Sequence, residues 1–149
     1  MDLLIKPLSD KIGTVIPYPY YATSGAAAMD LHACIDEDVV IPARGRVLIP
    51  TGIAAAIPEG YVGLNFARSG MAAKRGLAPA NKVGVIDSDY RGELMVALHN
   101  HGNEPQTVEH GDRVAQICFV PYIKAAFDIC DTLPETVRGE GGFGSTGKN

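Results

Sequence analysis

A chain of 149 residues, 46% hydrophobic and 20% charged, has the size of one domain with one core and is not a disordered or low-complexity protein. Its formal charge is −4, from 17 acidic and 13 basic side chains, and the basic residues are scattered, which argues against nucleic acid as a partner. The opening MDLLIKPLSDK lacks a basic leader ahead of an apolar core, and no window approaches the roughly 18 consecutive apolar residues of a membrane span, so an intracellular, cytoplasmic protein without a membrane partner is expected.

In chain order, AAMDLHA (27–33) sets Asp30 inside a small apolar run, where a buried carboxylate needs a partner: it caps a turn or arranges water around a metal. His32 reads as a strand residue, because His99, His101 and His110 show no spacing that completes a zinc site with it. Cys34, Cys118 and Cys130 are odd in number and form no CxxC pair, as expected of reduced thiols. The stretch VVIPARGRVLIPTGIAAAIPEGYVGLNFA is apolar and β-branched but interrupted at Pro42, Gly45, Pro50, Pro58 and Gly60, which predicts short strands.

ARSGMAAKRGL (67–77) predicts one short helix near residues 70–75, with Ser69 as N-cap, Lys74 and Arg75 in the last turn and Gly76 as a left-handed stop. Arg68, Ser69 and the free amides of its first turn favour an anion; an ordinary capped surface turn is the alternative. NKVGVIDSDYRGE (81–93) leads into Asp87, Ser88, Asp89 and Tyr90 before Gly92. These carboxylates suit a metal that borrows phosphate oxygens, a general base, or a plain acidic turn. In RGELMVALHN, Leu94, Val96 and Leu98 alternate with Met95, Ala97 and His99; in DRVAQICFVP, polar Gln116 stands among apolar neighbours. The sum is an all-β sandwich or barrel.

After LPETV the chain is glycine-rich. Taken alone it reads as a disordered tail, yet Arg138, Phe143, Ser145 and Thr146 offer an anion donor, a stacking surface and two hydroxyls among glycines.

Taken together, AAMDLHA, ARSGMAAKRGL, NKVGVIDSDYRGE, GDRVAQ and RGEGGFGSTG resemble, in order and spacing, the five motifs of the trimeric deoxyuridine triphosphatases, the dUTP nucleotidohydrolases. The resemblance implies a distorted jelly roll of the β-clip kind, with a β-rich body over 1–133 and a flexible tail over 134–149 closing on an active site. It implies hydrolysis of dUTP to dUMP and pyrophosphate by water attack at the α-phosphorus, with Mg²⁺ as cofactor. Asp87 corresponds to the general base and Tyr90 to the ring against the deoxyribose. Arg68, Ser69 and Gly70 match the phosphate-binding motif, and Asn81, Gly84 and Val85, with Met95, the uracil-reading hairpin. Asp30 and Gln116 match groups that organise catalytic or metal-bound water, Asp30 touching Mg²⁺ through water while the substrate phosphates hold the ion. Asp112 and Arg113 take a structural part, and Arg138, Phe143, Gly144, Ser145 and Thr146 map onto the closing tail. The family's sites are shared between subunits of a homotrimer. Two positions depart from the pattern: Ala67 stands for a proline, and Ala28 for a glycine, the latter tolerable only with an ordinary backbone dihedral. A dCTP deaminase of the same broad fold and a binding protein without turnover are the competing readings.

Overall fold

Alternation along the strands decides where the core lies. In ELMVALHN, Leu94, Val96 and Leu98 are buried while Met95 is exposed, so one face of that strand turns inward. The structure, a computed structural model, describes residues 1–142. Its elements in order are β1 (Leu4–Pro7), β2 (Met29–His32), β3 (Val39–Ile41), β4 (Arg46–Ala56), β5 (Tyr61–Phe66), α1 (Ser69–Arg75), β6 (Leu77–Pro79), β7 (Gly84–Ile86), β8 (Glu93–Asn100), β9 (Gln106–Val108) and β10 (Arg113–Pro121).

Strand pairing is antiparallel throughout the named strands. One sheet runs β1-β4-β8-β6, a second β2-β10-β5-β7, and β3 pairs with β9 as a separate ribbon. The apolar faces meet in one cluster that includes Leu31, Ile41, Ile49, Leu77, Leu94, Val96, Leu98, Val108, Val114 and Ile117. This is the all-β, jelly-roll-like arrangement expected, with one short helix. Asn100 is fully buried and ties three segments together: its side-chain amide donates to the carbonyls of Ile41 and Glu104, and its Oδ1 accepts from the Gly102 amide. A buried polar side chain so satisfied adds specificity to the join between strands at little net cost.

Helix α1 begins one residue earlier than its sequence suggests. Arg68 is the N-cap, with extended backbone and no side-chain capping bond, and Ser69 is already helical. The stop is as expected: Gly76 adopts φ 64°, ψ 20°, and its amide bonds back to the last turn. Arg75 anchors the helix by an ion pair to Asp112 at 2.9 Å and a bond to the Thr107 carbonyl. Ala28 is not among the described residues with positive φ, so its backbone tolerates the missing glycine.

Among the described residues, regular structure ends at Pro121, and beyond it Ile123, Phe127, Ile129, Leu133 and Val137 are almost wholly exposed, so these five large apolar side chains find no cover among the described residues. Among the described residues no helix is long and apolar enough to cross a membrane.

Candidate active site

Sequence motifs scattered over the chain gather at two places on the β2-β10-β5-β7 sheet. The first lies around the short hairpin that ends in β7. Asn81, Gly84, Val85, Asp87, Tyr90 and Met95 line a cavity of about 410 Å³, together with Asn65, Ile86, Glu93 and Leu94. Asp87 follows β7 directly and is exposed at the cavity wall, where its carboxylate is open to water and ligand. It also borders a larger, more polar cavity of about 750 Å³ lined by Asp2, Glu59, Asp89, Arg91 and Lys124.

The turn carrying Tyr90 is built by its own polar groups. The Tyr90 amide donates to the Asp87 carbonyl at 3.2 Å, and the Arg91 guanidinium donates to the carbonyls of Ser88 and Tyr90 at 2.6 and 2.9 Å. The phenol then folds across Gly92 to donate to the Glu93 carbonyl at 3.0 Å, and any side chain at position 92 would collide with it. Glycine at 92 is therefore a condition for the ring's placement.

The second place is an arginine and carboxylate cluster. Asp30 on β2 pairs with Arg68 at 2.7 Å and Arg113 at 3.4 Å, and is only 19% exposed. Thus the aspartate that sequence reading left in need of a partner has two. Gln116 faces Asp30 across the β10–β2 pairing and donates to the Ala67 carbonyl at 2.9 Å. That bond fixes the residue where the motif usually has a proline. Together Asp30 and Gln116 hold the loop Ala67–Gly70, whose Ser69 and Gly70 are exposed and whose amides precede the first helical bond, from Ala72 to Arg68. Burial pushes the His32 imidazole below its ordinary pKa, Asp30 pulling against the depression and Arg113 and Arg68 adding to it.

One chain does not bring Asp87 and the arginine loop together. Ile86 pairs with Gly63 and Gln116 with Phe66, both on β5, so two strand spacings of about 4.8 Å and three residues of about 3.4 Å separate them, about 14 Å in all. Asp87 lies one residue farther along β7, and Arg68 two residues beyond Phe66, which widens the gap.

Arg138 donates to the Gly141 carbonyl at 2.7 Å in the exposed terminal segment. Phe143, Gly144, Ser145 and Thr146 lie outside the described residues. Asp112 has the structural part expected of it, gripping Arg75, while the side chain of Arg113 reaches Asp30 instead. Among the described residues no group of three or more His, Cys, Asp or Glu side chains could hold a metal. Asp30 is already paired with two guanidiniums, a cluster of net positive charge, so a hard cation fits beside it only when phosphate oxygens and its own water offset the repulsion. The residue that sequence reading missed is Asn65, a buried amide in the cavity wall; its signal was a lone polar side chain in the apolar run YVGLNFA.

A family model described as dUTPase matches residues 14–147. The chain belongs to the dUTPase family. It is 55% identical over 130 residues, 87% of its length and 86% of the relative's, to the deoxyuridine 5'-triphosphate nucleotidohydrolase of Desulfitobacterium hafniense (strain DSM 10664 / DCB-2). To that of Glaesserella parasuis serovar 5 it is 47% identical over 145 residues, covering 97% and 96%. Among solved structures, the dUTPase of Staphylococcus bacteriophage 80alpha with dUPNHPP superposes with a TM-score of 0.82 at 28% identity, over 99% of each chain. A dUTPase of phage phi11 of S. aureus, whose structure describes coordination of a structural Mg(II) ion, gives 0.75 at 25% identity, over 89% and 98%.

Proposed function

We propose that this protein hydrolyses dUTP to dUMP and pyrophosphate at a site completed by more than one copy of the chain. The observation that carries the reading is the pair of half-sites on one sheet: a cavity of about 410 Å³ with Asp87 at one end, and an arginine-bearing loop about 14 Å or more from that carboxylate. Neither half suffices for a nucleoside triphosphate, and a loop from a second copy supplies to each cavity what its own chain holds too far off.

In this reading the hairpin of Asn81, Gly84 and Val85 takes the base, and Met95 closes the cavity wall. Uracil offers a carbonyl acceptor beside a ring N–H donor; cytosine reverses that pattern and leaves buried groups unpaired, at roughly 1 to 3 kcal/mol each. Thymine keeps the pattern and is excluded by its methyl group, an overpacking cost of about 1 to 3 kcal/mol. The Tyr90 ring lies against the deoxyribose and leaves no room for a 2'-hydroxyl. Asp87 accepts a proton from the water that attacks the α-phosphorus. Arg68, Ser69, Gly70 and the amides of the first turn bind the phosphates, the guanidinium held in place by Asp30. Gln116 keeps that loop in register and, with Asp30, orders water beside it. When bound, Mg²⁺ neutralises part of the triphosphate charge, Asp30 contacting it through water. The segment over 134–149, with Arg138, Phe143, Gly144, Ser145 and Thr146, closes over the bound nucleotide.

The apolar side chains from Ile123 to Val137 support assembly, since five large exposed side chains in one segment are the mark of a surface that another chain covers. A homotrimer gives each cavity one loop and one tail. The deciding experiment measures pyrophosphate release from dUTP, dTTP, dCTP and UTP with and without Mg²⁺. Turnover of dUTP far above the others is expected; equal turnover of all four, or none, defeats the reading. Mixing inactive Asp87→Asn and Arg68→Ala chains tests sharing: activity should reappear in the mixture, and a mixture as dead as its parts would put the whole site in one chain.

A further inference from the structure

The sheet that supports the Tyr90 turn is interrupted beside the cavity. Between the pairs of Pro50 with Met95 and Ala54 with Glu93, three residues of β4 (Thr51, Gly52 and Ile53) stand opposite Leu94 alone. Such a bulge releases backbone groups from the ladder, and side chains take two of them: Thr51 Oγ1 donates to the Leu94 carbonyl, and the Gly52 amide donates to Glu93 Oε1 at 2.7 Å. Gly52 has φ 71°, and a Cβ there would stand 2.7 Å from Cys34 Sγ, so the amide is aimed by a conformation that glycine alone takes cheaply. Thr51 and Leu94 are buried in the body of the protein, whereas Glu93 is half-buried at the first position of β8 and lines the base cavity. The main-chain carbonyl of Glu93 is the group that accepts from the Tyr90 phenol at 3.0 Å.

We propose that Glu93 is a positioning residue for the Tyr90 ring: its carboxylate pins the start of β8 to the bulge of β4, and its carbonyl, fixed by that anchor, sets how the ring leans over the sugar. The inference rests on the dUTP reading, in which the ring crowds the 2' position. The turn before β8 is bonded largely within itself, through the Tyr90 amide and the Arg91 guanidinium, so the phenol's bond to Glu93 ties the ring to the sheet. One residue thus joins a strand irregularity to an exposed aromatic ring, by its side chain at one end and its backbone at the other. Because this anchor acts on the ring and touches neither the phosphate loop nor the hairpin of Asn81 to Val85, its loss relaxes the choice between deoxyribose and ribose before it slows dUTP.

The test is a set of three variants read by kcat/KM for dUTP and for UTP in Mg²⁺, with thermal unfolding beside them. Glu93→Met keeps the length of the side chain and removes the acceptor, leaving the Gly52 amide unpartnered, so Tm should fall. The dUTP-over-UTP ratio should fall with it by about 3- to 10-fold, the span of the one hydrogen bond that holds the ring, while kcat/KM for dUTP stays within about threefold of the parent. A residue that only satisfies the bulge would lower Tm and leave the ratio alone, and that result overturns the proposal. Glu93→Gln retains a side-chain carbonyl as acceptor, so its ratio should return to within about twofold of the parent; a ratio as low as that of the methionine variant would put the effect in the charge and overturn the anchor. Thr51→Val removes the neighbouring bond of the same bulge, to a residue the core already holds, and should lower Tm with the ratio unchanged. An equal fall of the ratio in this variant would make any loosening of the bulge sufficient and overturn the assignment to Glu93. If the unaltered protein turns over dUTP and UTP alike, the reading of the ring itself falls and the inference with it, a failure separable from one seen in the variants alone.

Discussion

Gly92→Ala separates the placement of the Tyr90 ring from the stability of the chain. Position 92 has no positive φ, so alanine is compatible with the backbone there and stabilises by about 0.4 to 1 kcal/mol through the unfolded state. Against this stands the collision of the new methyl with the Tyr90 phenol. The ring is 45% exposed, so it swings outward instead of forcing the backbone, and the loss is its bond to the Glu93 carbonyl, about 0.5 to 1.5 kcal/mol. The two terms nearly cancel. With an unfolding entropy of about 2.1 cal/mol/K per residue, 1 kcal/mol moves Tm by about 3 °C here, so Tm should stay within about 3 °C. Function should change much more, because the displaced ring no longer crowds the 2' position. The kcat/KM ratio of dUTP over UTP is expected to fall at least about tenfold, the equivalent of 1.4 kcal/mol. Steady-state pyrophosphate release on both nucleotides, beside a melting curve, measures both quantities. An unchanged ratio would refute the role given to the ring. A Tm loss beyond about 10 °C would show that the phenol cannot move and that the backbone takes the strain.

Other perturbations address the base, the helix anchor and pH. Asp87→Asn should lower kcat by about 10² to 10⁴ with KM within a few-fold, since a general base acts in the transition state; unchanged kcat removes Asp87 from that role. Asp112→Ala frees Arg75 and the Glu109 amide, and the loss of charge-assisted bonds at about 1.5 to 3 kcal/mol should lower Tm by about 5 to 10 °C, read by calorimetry. His101 has its pKa pushed down by burial, then by Lys82, His99 and Arg44. Below the ordinary histidine value the unfolded chain therefore takes the proton first, and stability falls as pH drops through that value toward the depressed one. His101→Gln should flatten the Tm slope between about pH 7.5 and 5.5; an identical slope would assign the acid sensitivity to other groups.

Much of the architecture was legible because it follows from local chemistry. Leu94, Val96 and Leu98 announce a strand with one buried face, and Gly76 stops the helix for the reason that only glycine takes the left-handed turn cheaply. The cap was misplaced by one residue because Ser69 has the right chemistry, but Arg68 is the residue with extended backbone. Asp30 shows where local reading ends: an ionised side chain in an apolar run needs a partner, yet Arg68 and Arg113 reach it only after three strands align. Asn65 escaped notice because one asparagine in a strand looks like a polar edge residue until Gly84 is seen opposite it. The apolar side chains beyond Pro121 carry no periodic signal, since no described element of their own chain receives them.

On the proposed reading, the arginine cluster lets an acidic chain bind a polyanion. Arg68 and Arg113 both lean on Asp30, so the cluster carries a net charge of +1. A free arginine loses about 1.5 to 2 kcal/mol of side-chain entropy when a ligand fixes it, and here Asp30 has already fixed Arg68 in the empty protein. The Coulomb attraction given up to Asp30 is offset by this preorganisation, which improves affinity without adding a contact. Gln116 extends the same logic to the backbone: its bond to the Ala67 carbonyl does by a side chain what a proline ring does covalently, holding the loop before the phosphate arrives. Because both anchors lie on β2 and β10, the loop's geometry is set by the strands and not by the ligand, and loosening either strand should weaken phosphate binding before it disturbs the base cavity on the far side of β5.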